Sequence, residues 1–546
     1  MLTPQYYDKL TAELIKLYSD LDNAIISDIV RRLLKAGDVT DTARWQIQQL
    51  QESGMLYNDI LSEISRRTDA TQKQVRDLFE DAGIQAIKND NVRYHAAGLE
   101  GIIKMSDAAL QVLNAGYEKC SGNLSNLTLT TANTSQQAYI TACNNAYMQI
   151  TSGAFDYNTA IRNAVKAAAS EGTEVLYPSG HRDKLDVAVR RAVLTGIGQT
   201  CRTLSETNAQ DLGCDLMEIT AHAGARPSHA EWQGQIVSLS GRKGYLSKDD
   251  IGYGTGDGFG GWNCRHDWHP FFEGISSRAY DDAELKKLNE RNIEYNGEKY
   301  TEYEISQMQR KFERDIRKLK REAVAADTGR TNAQNDKLKQ QFDDDFTVVS
   351  VKLKEKERQL NDFLKQTGEL PDNARTQAMG FGRSVSQKAV VANKNMLQYL
   401  DKDDIINVRK ILSGYNAYIG KYPDSEFKYY MIDYKLKQAG IKKGIVLPPR
   451  PKRAFILPDN KAKNDQYHIM HRMVERYITD DDLEKFMKES KVMFAQWNGV
   501  RRLFYTEKGA VIITKSDTGW IYKTAWSKSD FDDEALKILE VINRYA

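Results

Sequence analysis

Apolar residues recur at every third or fourth position through most of the first two hundred residues, which is the period of an amphipathic helix. The first such stretch runs from Leu10 to about Ala36, and three more helices are predicted at 42–53, 55–68 and 71–88. A polar break, "NLTLTTANTS", interrupts the pattern further along, and an alanine-rich run ends at Gly172. We therefore expect a helical region over residues 1–96 and further helices up to about residue 200.

The pattern changes between about residues 222 and 275, where Gly, Ser and Asp are frequent. This composition excludes long helices and favours short strands and loops, in which functional sites are often built. We expect residues 97–275 to form one unit with a loop-rich core.

Long, charged helices are predicted for residues 276–390, each with one apolar stripe. The stripes contain Ile305, Met308, Phe312, Ile316 and Leu319, and then Val349, Leu353, Leu360 and Leu364. They are compatible with a helical hairpin or coiled coil, and equally with ordinary packing helices of one domain, because neither stripe sustains enough heptads to decide.

A helical connection and a proline-rich linker are predicted for residues 391–450, with the clearest boundary inside 442–465. The last segment, 451–546, has the pattern of two helices, four strands in an antiparallel meander and a closing helix. The fold class is therefore multidomain: mainly α-helical N-terminal and middle regions, a loop-rich central core and a small C-terminal α+β domain.

Composition excludes several classes of protein. The 77 basic residues nearly cancel the 75 acidic ones, so any contact with nucleic acid has to be local. The five cysteines are too few and too scattered for a secreted disulfide framework. We found no stretch apolar enough to suggest a membrane partner.

Two stretches concentrate residues with metal-binding chemistry: "HAGARPSHAEWQGQ" and "GWNCRHDWHP". They contain His222, His229, Cys264, His266 and His269, with Asp267 as a further oxygen donor. Zinc is one interpretation, although the spacing matches no strong zinc motif. The others are a packed and hydrogen-bonded loop unit, and a catalytic or phosphate-contacting role for Arg226, His229 and Arg265.

These stretches, with "TARWQIQQLQESG", "YEISQMQRKFERDIRKLKR" and "FLKQTGELPDNARTQAMGFGRS", resemble the minor capsid protein family of tailed phages. That family is similar to the Mu-type head-morphogenesis proteins, which share an Arg-x-x-His segment followed by an Asn-Cys-Arg segment. The matching signature residues are His222, Arg226, His229, Trp232, Asn263, Cys264, Arg265 and His266. The resemblance, over about residues 1–390, implies a component of the phage head or portal vertex, present in the virion and in the host cytoplasm during assembly. It implies portal and capsid proteins as partners and packaged DNA as a further one. We expect no cofactor, with zinc at the central core as the alternative.

The C-terminal segment resembles phage-borne nucleases of the barnase, EndoU, colicin and RelE-like class. These are similar to metal-independent RNases, which need a general base, a general acid and cations at the phosphate. The residues that could supply these groups to an RNA substrate are His468, His471, Thr524, Tyr505, Arg476, Arg501 and Lys523. Strand alternation separates Lys523 from Thr524 unless a bulge intervenes. The alternative is a purely structural virion protein whose last domain is a binding module without catalysis.

Overall fold

A computed structural model describes most of the chain: residues 6, 21–22, 24–35, 42–102, 104–152, 155–378, 380–399, 427–456 and 465–546. Its secondary structure is largely helical, and the chain divides into two compact units. The first unit contains residues 1–353 and 357–389, and the second contains 354–356 and 390–546. Part of the predicted first helix and of the predicted connection, residues 7–20 and 400–426, lies outside the described residues.

Long helices dominate the first unit. Those before the central loops are α1 (24–35), α2 (Thr42–Ala96), α3 (Asp107–Thr151), α4 (Tyr157–Glu171) and α5 (Leu185–Asp211). Two predictions are corrected here. α2 is one helix where three were predicted, and α3 continues through the polar stretch that was predicted to break it. The hydroxyls of Thr130, Thr131 and Thr134 bond carbonyls four residues earlier, so these side chains are satisfied inside the helix.

The core of these helices forms where α3 packs against α2 and α5. Apolar side chains such as Phe79, Leu124 and Val193 are almost completely buried there, together with Cys120 and Cys201. All five cysteines of the chain are free thiols. This core supports α5, whose C-terminal half carries the residues that hold the central loops.

The central region has short strands, as the composition predicts. β1 (Glu174–Leu176) and β2 (Arg182–Lys184) form a hairpin before α5. β3 (Leu216–Ile219), β4 (Ile236–Ser238) and β5 (Trp268–Phe271) form an antiparallel sheet in the order β4-β3-β5. All four residues of β3 and of β5 are buried, so this small sheet gives the loops around it a rigid base.

The two predicted apolar stripes pack against each other. The short helix α6 (Pro227–Ala230) lies between β3 and β4. The elements that follow β5 are α7 (Asp282–Lys287), the hairpin β6 (Ile293–Tyr295) and β7 (Glu298–Tyr300), α8 (Glu302–Asn332), α9 (Asp336–Thr367), α10 (Asn373–Thr376) and α11 (Arg383–Leu397). Ile305 and Ile316 of α8 share one buried cluster with Leu353, Leu360 and Phe363 of α9. The two helices therefore form a hairpin, and since Ala325, Leu338 and Phe342 belong to the main core of the first unit, they are also packing helices of that unit.

The second unit is a sheet covered by helices on both faces. Its elements are α12 (Phe427–Gln438), β8 (Ile445–Leu447), β9 (Ala454–Phe455), α13 (Asp465–Glu475), α14 (Asp480–Glu489), β10 (Met493–Gln496), β11 (Arg501–Tyr505), β12 (Gly509–Ser516), β13 (Gly519–Ser527) and α15 (Asp533–Tyr545). One face packs against α12 and α15, and the other against α13 and α14.

Within the described residues, the sheet of the second unit has six strands in the order β8-β10-β11-β12-β13-β9, which corrects the prediction of a four-stranded meander. The meander is β10 to β13. The extra strands, β8 and β9, come from the proline-rich segment that was predicted to be a linker. Strands of two and three residues between prolines carry too little periodicity to be recognised from sequence. None of the helices in the described part of the chain combines the length and apolar character needed to cross a membrane.

Candidate functional site: a histidine–cysteine cluster beside an arginine-lined cleft

Two loops of the first unit meet beside the three-stranded sheet. The first contains α6, which begins at Pro227, a residue whose fixed backbone suits the first helical position, and which carries His229. The second turns at Asn263, whose φ of 56° lies in the left-handed region that asparagine tolerates better than most residues. It then passes through Cys264 and His266 into β5. The two signature stretches are thus brought together in space.

Three imidazoles and a thiol lie at the junction of these loops. We call His222, His229, Cys264 and His266 the His–Cys cluster. The ring of His266 lies 4.4 Å from that of His222 and 5.3 Å from that of His229, measured between centroids. Trp232 packs against His229 and His266 at 4.5 and 4.9 Å. One possible ligand atom from each of His229, Cys264 and His266 lies within 4.8 Å of the other two.

Hydrogen bonds fix the orientation of each ring in the cluster. His222 Nδ1 lies 2.8 Å from the carbonyl of Ala223, and His229 Nε2 lies 2.8 Å from the carbonyl of Asp257. His266 Nε2 lies 3.3 Å from Gln233 Oε1. Because each of these oxygens accepts, the three nitrogens carry the ring hydrogens, and the other nitrogen of each ring keeps its lone pair.

Burial keeps the imidazoles neutral. It lowers the pKa of His229 to about 4, with a smaller contribution from the nearby Arg226. It also lowers the pKa of His222, and it lowers that of His266 well below the ordinary value, where the neighbouring histidines act in the same direction. All three rings are therefore uncharged near neutral pH, which is the form that binds metals.

His269 and Asp267, the other two candidates from these stretches, lie outside the cluster. His269 Nε2 is 3.7 Å from Glu218 Oε2 in the sheet. Asp267 is buried at the start of β5, and its backbone N–H donates to the hydroxyl of Thr220. The structure thus assigns both residues to the sheet rather than to the site.

Arg202 of α5, which the sequence analysis missed, ties the second loop to the helical core. It is 1% exposed, and its guanidinium donates to the carbonyls of His266 and Cys264. Its own carbonyl accepts from Trp268 Nε1 at 3.1 Å. A buried arginine that satisfies loop carbonyls holds the cluster in place, because leaving those carbonyls unpaired is costly. Nothing in the helical pattern around residue 202 distinguishes this role.

A cleft of roughly 450 Å³ opens onto the cluster. Its walls come from the two signature loops, α5, α8 and the segment around α10. Seven arginines line it: Arg190, Arg226, Arg265, Arg310, Arg314, Arg317 and Arg375. Burial lowers the pKa of Arg317 to about 10, and the nearby Arg321 and Arg375 contribute in the same direction.

Glu313 is the acidic residue among those lining the cleft. Burial raises its pKa to about 7, and its carboxylate lies 3.9 Å from the guanidinium of Arg375. A larger groove of roughly 1470 Å³ lies between α3 and α5, but it is lined mainly by small and amide side chains and lacks this concentration of charge. The arginine cleft is therefore the strongest candidate for an anion-binding site.

The signature residues Arg226 and Arg265 both line the cleft, and Asn263 lines its rim. Arg226 donates to the carbonyl of Trp262 at 2.7 Å. The remaining arginines were missed by the sequence analysis. A signal was present for α8, because residues 310, 314 and 317 are spaced to lie on one face of a helix.

The histidines predicted for an RNase site lie on one face of the second unit. His468 and His471 are exposed on α13, and His471 Nδ1 is 3.7 Å from Glu475. α13 packs through Ile469 against the sheet face that carries Tyr522. The histidines therefore lie on the outer side of a helix that covers this face.

Tyr505 and Thr524 belong to the opposite face. Tyr505 packs against Phe494 and Phe531, and burial raises its pKa to about 12. A bulge in β13 pairs Thr524 with Ile512, which packs with Tyr505 in the cluster beneath α12 and α15. The sheet thus separates both residues from His468 and His471.

The three predicted cations of the RNase site also have separate surroundings. Lys523 lies at the bulge. Arg476 donates to the carbonyl of Ala525, and Arg501 stacks on Trp497 with its guanidinium carbon 3.7 Å from the ring centroid. The structure does not bring a histidine, Thr524 and Tyr505 to one cleft.

Comparisons with known proteins identify one family and two relatives. The model of the family described as phage minor capsid protein 2 matches residues 2–365. A structural protein of Lactococcus phage LL-H is 24% identical over 356 residues, which cover 58% of this chain and 91% of the relative. A structural protein of Lactococcus phage mv4 is 38% identical over 89 residues, which cover 16% of this chain and 61% of the relative. No solved structure gave a significant match.

The family match includes both signature loops, the small sheet and α8, so it spans the His–Cys cluster and most of the cleft. It ends before residues 390–546, which make up almost all of the second unit. Since it covers more than half of the sequence, the chain belongs to the phage minor capsid protein 2 family.

Proposed function

We propose that this protein is a structural component of the phage head, assembled with portal and capsid proteins during growth in the host cytoplasm, and that it contacts packaged DNA through the arginine cleft. Family membership and two relatives described as phage structural proteins support the assembly role. The seven arginines of the cleft support the DNA contact.

The chemistry of the cleft fits a phosphate backbone. Guanidinium groups donate hydrogen bonds in a planar fork that matches phosphate oxygens. The net charge of the whole chain is only +2, so attraction to DNA has to come from a local group of basic residues, and the cleft brings seven arginines together. A cleft of this size accommodates a short run of phosphates from one strand, which positions DNA without reading its sequence.

The test uses fluorescence anisotropy to measure binding of the full chain to a short DNA duplex of random sequence over a range of salt concentrations. The variant Arg310→Ala/Arg314→Ala removes two charges from the α8 wall of the cleft. We expect it to weaken binding roughly tenfold or more. We also expect the slope of log K against log salt to fall by about 2, because each lost phosphate contact removes about 0.9.

The matched control is Arg242→Ala/Arg291→Ala, which removes two partly exposed arginines elsewhere in the first unit. It has the same net charge as the test variant and should bind as the wild type does. Equal losses in the two variants would show that binding follows total charge and would refute a role for the cleft. Failure of the wild-type chain to bind duplex DNA would refute the DNA contact altogether.

For the second unit we propose a binding module that contacts a neighbouring virion protein. The other candidate, a metal-independent RNase, requires a histidine, a polar group such as Thr524 or Tyr505, and a cation around one phosphate. The sheet lies between His468 and both Thr524 and Tyr505. No specific observation favours the RNase, so the structural alternative is the one we propose.

A further inference from the structure

We propose that His229, Cys264 and His266 bind one zinc ion, with His222 as the fourth ligand, and that this ion joins the two signature loops. This inference is independent of the proposed DNA contact. It rests on the ligand-atom distances of His229, Cys264 and His266 and on the position of the His222 ring beside His266, and its test requires no DNA.

The distances between the possible ligand atoms of His229, Cys264 and His266 are close to those of a zinc site. With Zn–S of about 2.3 Å and Zn–N of about 2.0–2.1 Å, tetrahedral ligands lie about 3.5 Å from one another. Cys264 Sγ and His266 Nδ1 are 3.7 Å apart. Possible ligand atoms of His229, Cys264 and His266 all lie within 4.8 Å of one another, so closure around an ion requires shifts of about 1 Å or less.

The hydrogen bonds at the other ring nitrogens are those of metal-binding histidines. Such a ligand generally donates its second ring N–H to a carbonyl or carboxylate, which fixes the ring and its tautomer. His229 Nε2 donates to the carbonyl of Asp257, and His266 Nε2 donates to the side-chain oxygen of Gln233. The same Gln233 oxygen accepts the backbone N–H of His222, so one amide supports both loops.

The fourth ligand explains an otherwise unsatisfied atom. His222 Nδ1 is held by the carbonyl of Ala223, which leaves Nε2 with the lone pair. Among the described residues, no hydrogen-bond partner lies near this buried Nε2 atom. Its ring lies 4.4 Å from that of His266, between centroids, and it lines the cleft through which an ion would enter. Buried polar atoms without partners are rare, and an ion at this point removes the deficit.

The ligand set selects zinc by its chemistry. One thiolate and three neutral imidazoles match the sulfur and nitrogen donors that zinc prefers in tetrahedral sites, whereas calcium and magnesium prefer oxygen. Four protein ligands leave no open position, which is typical of a structural site rather than a catalytic one. Binding releases the Cys264 thiol proton and joins loops that have little regular secondary structure.

The first experiment measures the zinc content of the full chain, purified, equilibrated with zinc and dialysed. We expect one zinc ion per chain in the wild type and a loss of at least tenfold in Cys264→Ser and His266→Ala. Cys214→Ser is the matched control, because Cys214 is also a buried free thiol, and its sulfur donates to the carbonyls of Leu216 and Phe271 instead of facing the cluster. It should keep the ion. Circular dichroism establishes that each variant is folded.

The second experiment replaces zinc with cobalt in the wild type and in Cys214→Ser, which keeps the test valid if Cys264→Ser fails to fold. We expect the visible bands of tetrahedral Co²⁺ together with a thiolate-to-metal charge-transfer band in both proteins. Absence of bound zinc in the wild type, or a cobalt spectrum without thiolate ligation, would overturn the proposal. Equal zinc content in folded Cys264→Ser and Cys214→Ser would do the same.

Discussion

Asp90 is a buried carboxyl between α2 and α5, close to the base of the central sheet. Its side chain accepts a hydrogen bond from Ser205 at 2.6 Å. Burial raises its pKa from 3.8 to about 7, and the nearby Asp267 acts in the same direction, although the Ser205 hydrogen bond opposes the shift. Folding therefore favours the protonated carboxyl, whereas the unfolded chain ionises at a lower pH.

This shift predicts a specific pH dependence. The contribution of Asp90 to stability is fully present below about pH 4 and is lost as the pH rises to about 7, because the unfolded state ionises first. Asp90→Asn removes the titrating carboxyl and with it this loss. The free energy of unfolding of the variant, relative to wild type, should therefore increase between about pH 4 and about pH 7. The increase should reach up to about 4 kcal/mol, because a difference of one pKa unit corresponds to about 1.36 kcal/mol. Urea denaturation of both proteins at several pH values measures the difference.

The buried histidines titrate in the opposite sense. Their lowered pKa values, about 4 for His229 and for His269, remove stability as the pH falls below about 6.5. Since both proteins contain them, their contribution cancels in the comparison. A wild-type minus Asp90→Asn difference that stays constant between pH ~4 and ~7 would contradict the assignment of Asp90 as a protonated buried acid.

At the scale of elements, α3 contains two glycines that face different surroundings. A Cβ added at Gly116 would lie 2.0 Å from Thr200 Oγ1 on α5, whereas one added at Gly122 would meet nothing within 4 Å. Gly116→Ala should force α3 and α5 apart and lower the free energy of unfolding by about 1–3 kcal/mol. Gly122→Ala should raise it by about 0.5–1 kcal/mol, because alanine is the better helix former.

Thermal unfolding of the two glycine variants, followed by circular dichroism, measures these opposite shifts. Both variants carry the same Gly→Ala substitution in the same helix. Helix propensity alone therefore predicts that both raise the free energy of unfolding. A stabilising Gly116→Ala would show that the two helices are less closely packed than the structure indicates.

The elements could be predicted from sequence where one periodic signal determines them. The stripe that contains Ile305 and Ile316 predicted α8, and the strand alternation predicted the meander β10 to β13. The continuity of α2 could not be predicted, because Gly54 is a poor helix former and only the packing of the surrounding helix outweighs its cost. β8 and β9 were missed because such short strands acquire their structure only from the strands beside them.

The candidate site, like the fold, was predicted from sequence only in part. Composition drew attention to His222, His229, Cys264 and His266, and the structure brings them together. Their partners could not be inferred, because Gln233, Arg202 and the cleft arginines of α8 reach the site through tertiary packing. Local sequence therefore identified the cluster, whereas the fold determined its hydrogen bonds and its charge.

At the scale of the whole molecule, the family match and the units divide the chain at similar places. The match ends at residue 365, and the second unit consists of residues 354–356 and 390–546. This unit has its own sheet and two apolar clusters, one on each face. A segment with a complete core of this kind is expected to fold when separated from the rest of the chain.

We predict that a fragment of residues 390–546 folds, whereas the shorter fragment 451–546, which keeps the whole meander, does not. The shorter fragment lacks α12, whose Ile432 and Leu436 are buried against the sheet, and it lacks β8, which pairs with β10. The absence of α12 exposes an apolar face of the sheet, and the absence of β8 leaves β10 as an unpaired edge strand. Both changes favour aggregation. Size-exclusion chromatography and thermal unfolding of the two fragments test this. A monomeric 451–546 fragment with a cooperative transition at the temperature of the longer one would show that α12 and β8 are accessory to the domain rather than part of its core.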